Sequence, residues 1–128
     1  MKVSLKKSDV FIPEWEDNLE LPEDEQIKFH ITFLGSATRQ SYEYLEPIVV
    51  TQEGVKEQSL NRRLIQNRKG MAMAMVTRIE NLDVDYDDGT SEAVTDIRDY
   101  YKRAMPGVLT ALLEEYCLNA TSEVDPKN

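Results

Sequence analysis

The spacing of apolar residues changes character along the chain, and each change predicts an element. Val3 and Leu5, then Val10 and Ile12, alternate with polar neighbours, which predicts a short strand or extended arm closed by Pro13 and Trp15. Ile27, Phe29, Ile31 and Phe33 alternate strictly with Lys28, His30 and Thr32. This predicts a strand over 27–33 with one face in a core and the other open to water or a partner. His30 falls on the polar face. Gly35-Ser36 breaks the strand, and Ser36 is placed to cap a helix through Tyr42, Tyr44 and Leu45 that must stop before Pro47. The β-branched run Ile48-Val49-Val50-Thr51 predicts a second short strand, with Glu53-Gly54 as its turn.

Beyond Glu57 the period lengthens. Leu60, Leu64, Met71, Met75, Ile79 and Leu82 fall on one face of a helix, which predicts an amphipathic helix over about 57–82. Arg68 interrupts that stripe and Gly70 follows it, so a bend or division is expected there. Met71 and Met75 share the stripe and Met73 does not, which favours ordinary core packing over an adaptable methionine surface. The run from Asp83 to Thr90 is acidic enough to test for calcium. Asp88 stands where an EF-hand loop starting at Asp83 requires glycine, and Val94 where it requires glutamate, so Asp88-Gly89 reads as a tight turn between short extended pieces.

Thr95 can cap a helix over 95–104 that carries Ile97, Tyr100, Tyr101 and Met105 at its end. Pro106 opens another over 106–119, in which Val108, Leu112 and Tyr116 repeat every four residues beside the row of Leu109 and Leu113. Cys117 borders that face as a small packing residue. The expected fold class is α+β: a small antiparallel sheet packed against three or four helices, with a helical C-terminal half. One domain over 1–128 is expected, with an acidic loop at about 14–26 and a frayed polar tail from about 121.

Charge narrows the partners. Lys+Arg 15 against Asp+Glu 24 leaves a net charge of −9, which repels phosphate, so neither nucleic acid nor an anionic membrane is an expected partner. No apolar run approaches the ~20 residues that a bilayer span takes. Asp9, Glu14 and Glu16 follow the basic start where a secretory signal would turn apolar, so a reducing cytoplasm, with Cys117 a free thiol, is the expected location. Residues 14–25 hold seven acids and no Lys or Arg, either a solvated loop or a docking strip for a basic partner. Arg62, Arg63, Arg68 and Lys69 cluster as either a solvated helix face or a contact surface. With one histidine, one cysteine and no nucleotide, hydrolase or metal motif, the sequence nominates no catalytic, cofactor or metal residue, and an enzyme is not expected.

Several pieces occur in a recurring order. An extended Val10-Phe11-Ile12-Pro13-Glu14-Trp15 piece precedes the alternating Ile27–Phe33 strand and a short polar helix with Tyr42 and Tyr44. Val76-Thr77-Arg78-Ile79-Glu80-Asn81-Leu82 then leads to Asp87-Asp88-Gly89, a capped helix from Thr95, and Pro106-Gly107-Val108-Leu109. In this order the chain resembles, over most of its length, the small tail assembly chaperone proteins of long-tailed bacteriophages and prophages. It departs from them in lacking a tryptophan just before the glycine turn, where Ile79 and Leu82 stand. The resemblance implies a non-enzymatic role in the host cytoplasm: binding the helical tape-measure protein, keeping it soluble and assisting tail-tube assembly. The alternative is a structural tail or head–tail joining protein of the virion, entering a ring sheet by strand pairing. On either reading, the candidate partner-binding residues are Tyr100, Tyr101 and Tyr116 on the C-terminal helices, then Arg62, Arg63 and Arg68.

Overall fold

The computed structural model describes residues 1–43 and 67–123. Their architecture is α+β, with two antiparallel sheets and four helices. Strands β1 (Ser8–Phe11), β2 (Lys28–Thr32) and β3 (Val76–Glu80) form a sheet in the order β1-β2-β3. Strands β4 (Asp83–Asp85) and β5 (Ser91–Ala93) form a separate hairpin. Helix α1 is Ser36–Glu43, α2 occupies 67–75, α3 is Ile97–Lys102 and α4 is Gly107–Asn119.

The strand read over 27–33 is β2, and its alternation behaves as the pattern requires. Phe29 and Ile31 are fully buried, while Ile27 and Phe33 pack half-buried at either end. Across β2, Phe11 opposes Phe29 on one side and Ile79 opposes it on the other, so one sheet face carries all three into the core. Tyr100 meets Phe29 edge-on at 6.0 Å, and Leu109, Leu113 and Cys117 of α4 complete the core with Met71 and Met75 of α2.

The helix expected over about 57–82 is corrected by the structure. Helix α2 ends at residue 75 and the chain passes directly into β3. The reason lies in a β-bulge. Ile31 pairs with Val76 and His30 with Arg78, so Thr77 is an extra residue on β3. The bulge lets Val76 and Ile79, three residues apart, both face the core. A three-residue spacing after Met71 and Met75 is what a continuing helix would also show, whereas the β-branched Val76, Thr77 and Ile79 favour a strand. The bend expected near Arg68 and Gly70 is absent as well. Gly70 sits inside continuous helix, where a Cβ would lie 2.9 Å from the Tyr42 ring, so glycine serves close approach of α1. The strand expected at 48–51, the turn at Glu53-Gly54, and Leu60, Arg62, Arg63 and Leu64 lie outside the described residues.

Smaller differences concern helix ends. Ser36 is the first residue of α1 rather than its cap. Asp96, not Thr95, caps α3, its carboxylate accepting the Arg98 N–H at 2.6 Å. Pro106 precedes α4 as its N-cap. The Asp88-Gly89 turn is as read: Gly89 has φ +87°, and Asp88 Oδ1 accepts from the Thr90 N–H at 2.9 Å and hydroxyl at 2.6 Å, which holds its carboxyl below the usual range.

The acidic stretch after β1 folds into two single 3-10 turns, Asn18–Glu20 and Glu23–Glu25, with its acids exposed. Its anchor is Asn18, the one buried polar residue among those described. The Asn18 amide donates to the Pro13 and Ile27 carbonyls at 3.0 and 3.3 Å and accepts the Ile27 N–H at 2.7 Å. Asn81, in the left-handed region at φ 61°, donates to the Asp24 and Gln26 carbonyls and ties this loop to the β3–β4 corner. At the other end of the fold, Leu5 pairs with Glu123 and the Lys6 N–H donates to the Ser122 carbonyl at 2.7 Å, so residues 122–123 are tied to the start of the chain.

Candidate functional site

Helix α4 carries two apolar rows, and the sheet selects between them. Leu109, Leu113 and Cys117 enter the core, so Leu112 and Tyr116 are left at the edge and Val108 stays 65% exposed. The half-buried row is what creates a surface. Between α4 and β1 it leaves an open groove of about 480 Å³ with Phe11, Leu112, Tyr116 and Ala120 along it and Glu115 and Asn119 at its rim. The Tyr116 ring stacks on Phe11 at 4.4 Å, and its hydroxyl donates to the Asp9 carboxylate at 2.9 Å. Burial, then that carboxylate, pushes the Tyr116 phenol above its usual range.

A second groove of about 420 Å³ lies on the other flank of α4, where Tyr101, Met105, Thr110, Ala111 and Glu114 meet. The Tyr101 hydroxyl donates to Glu114 at 2.8 Å, and Lys69 of α2 lies 5.4 Å from the ring centroid. Burial and the Glu114 carboxylate push this phenol upward too. Tyr100 also borders the groove, but its side chain is buried and its hydroxyl bonds the Thr110 hydroxyl at 2.8 Å.

The three tyrosines therefore take different places. Tyr100 belongs to the core, while Tyr101 and Tyr116 each border a groove on opposite flanks of α4. Arg68 is exposed, and its neighbour Lys69 reaches Tyr101, whereas Arg62 and Arg63 lie outside the described residues. Leu112 was read only as part of the helical repeat of α4 and Phe11 only as part of the extended piece, neither as a partner-binding residue. Their partnership joins positions about a hundred residues apart, and the alternation read through Val10 and Ile12 is corrected by the structure: β1 turns Phe11 toward the core and leaves Val10 41% exposed.

The outer face of the three-stranded sheet is polar apart from Val10, which stands opposite His30. His30 Nε2 lies 2.6 Å from the Glu80 carboxylate and 3.1 Å from the Arg78 guanidinium, which is 3.5 Å from Glu80. The His30 hydrogen bond, then the positive charge of Arg78, holds the Glu80 carboxyl below its usual range. Among the described residues no three His, Cys, Asp or Glu side chains gather as a metal site, and no helix is long and apolar enough to cross a membrane. No protein-family model, curated protein or solved structure matches this chain.

Proposed function

We propose that this protein is a non-enzymatic tail assembly chaperone of a long-tailed bacteriophage or prophage, which binds the helical tape-measure protein in the host cytoplasm and assists tail-tube assembly. The observation that carries the reading is the pair of open apolar grooves flanking α4. A long amphipathic client offers apolar side chains at helical spacing, and grooves beside a helix accept such side chains. Tyr101 and Tyr116 supply broad, stiff contact area at each groove, and the net charge of −9 keeps copies of a protein with open apolar surface from clumping.

The rival role, a structural virion component joined by strand pairing, draws on the position of β1 at the sheet's edge. Against it, the Asp9 carboxylate already accepts the Val10 N–H of that strand at 2.8 Å, and a charged side chain on an edge discourages pairing. The deciding experiment is a pull-down of tagged protein from infected or induced cells, together with analysis of purified particles. The proposal expects a tape-measure chain in the pull-down and no copy in finished particles. Retention in the particles, or capture of no tail protein, overturns it.

A further inference from the structure

Three of the large apolar side chains left exposed lie in one short stretch. Met1, Val3 and Leu5 alternate with Lys2, Ser4 and Lys6, and Val3 and Leu5 keep 80% and 60% of their surface. This arm holds Lys2, Lys6 and Lys7, three of the chain's fifteen Lys and Arg, and none of its twenty-four acids. Its base is fixed, because Leu5 pairs with Glu123 and the Lys6 N–H bonds Ser122. Residues 1–4 extend beyond that anchor with every side chain exposed.

The groove between β1 and α4 has the complementary character. Its length is apolar, from Phe11 through Tyr116 to Ala120, and it is lined by one acid, Glu115, and by no Lys or Arg. The Asp9 carboxylate stands beside it, held by the Tyr116 hydroxyl. Within one molecule the same match of charge already occurs, since Lys6 Nζ lies 4.0 Å from Asp9. The arm of the same chain leaves this groove open.

We propose that the groove between β1 and α4 is occupied by the arm of a second copy of this chain, given and received reciprocally about a two-fold axis. An extended segment presents alternate side chains to one side. Met1 and Val3 then enter the apolar floor, while Lys2 reaches the acidic rim at Glu115. Two copies of charge −9 repel one another as whole bodies, and the exchange brings the basic segment of each against the acidic body of the other. An isologous contact of this kind closes at two copies. The arm and a client compete for this groove, so the pairing describes the protein before a client binds, and the groove beside Tyr101 on the other flank of α4 is open in both states.

Sedimentation of the full chain across a dilution series tests it. The mass is expected to rise with concentration from that of the 14.8 kDa chain to twice that value and no further. Val3→Asp and Glu115→Lys, both at exposed positions, should each weaken association by about tenfold, equivalent to ~1.4 kcal/mol, while leaving unchanged the melting temperature measured at dilutions where the chain is single. Combining Glu115→Lys with Lys2→Glu should restore it. A mixture of Val3→Cys chains with Glu115→Cys chains, oxidised by glutathione disulfide, should give a reducible cross-linked pair, since Cys117 is buried and does not compete. A chain that stays single at every concentration overturns the proposal. A dimer that is indifferent to Val3→Asp and gives no cross-link between positions 3 and 115 overturns it equally, because its interface is elsewhere.

Discussion

Asn18 does more for the fold than any of the seven acids around it. Its amide satisfies two carbonyls and one N–H that the turn after β1 would otherwise leave unpaired. Asn18→Ala is expected to cost about 1–3 kcal/mol in urea unfolding, the usual penalty for orphaned buried groups. Changing any one of the exposed acids beside it should cost less than about 0.5 kcal/mol. Tyr100→Phe removes only the bond to Thr110 and should cost about 0.5–1.5 kcal/mol, whereas Tyr100→Ala opens a cavity worth about 3–5 kcal/mol. Two titrations have opposite signs. Glu80 is held below the usual carboxyl range, so its contribution is present above that range and lost as pH falls through its lowered value. Thermal melts in acid should therefore decline less steeply for Glu80→Gln than for the parent. Burial pushes the Cys117 thiol up to about 12, so its contribution is present below the ordinary thiol range and lost as pH climbs toward that value. A thiol reagent at neutral pH should react with Cys117 only at the rate at which the protein opens.

Elements were legible where a single period ran through them. Strand β2 keeps strict alternation, α4 keeps helical spacing, and the β4–β5 turn carries Asp88-Gly89, so each could be read from side chains alone. Strand β3 could not, because the extra residue at Thr77 gives a strand the apolar spacing of a helix. Deleting Thr77 brings Val76 and Ile79 to ordinary alternation, still facing inward, so that variant should keep cooperative melting, while Ile79→Asp should abolish it. In α4 the sequence showed two adjacent apolar rows and could not say which one the sheet would take. Leu109→Ala is expected to cost about 2–5 kcal/mol and Val108→Ala less than about 0.5, as denaturant midpoints would show. The hairpin is clasped to α3 by Arg103, whose guanidinium donates to Tyr86, Glu92 and Asp99. Arg103→Ala should speed hydrogen exchange across 83–93 relative to the core strands.

At the scale of the whole molecule, composition carried the charge, but no local pattern could reveal a groove assembled from opposite ends of the chain. Tyr101 and Tyr116 were legible as amphipathic aromatics; their separation onto two flanks, and the loss of Tyr100 to the core, follow from how α3 and α4 pack. If the grooves receive a client, Leu112→Asp should reduce its capture in pull-downs at least as much as Tyr116→Phe, since the first places charge on the groove floor and the second removes only the bond to Asp9. The pairing of Leu5 with Glu123 has a consequence of another kind. Segments more than a hundred residues apart in the chain lie side by side there. Closing so long a loop is entropically costly and returns a single bridge with one flanking hydrogen bond, from the Lys6 N–H to the Ser122 carbonyl. This contact should therefore form after the β1–β2 pairing when the protein folds and open before it when the protein breathes, so the Lys6 amide should exchange with solvent faster than the amides of β2.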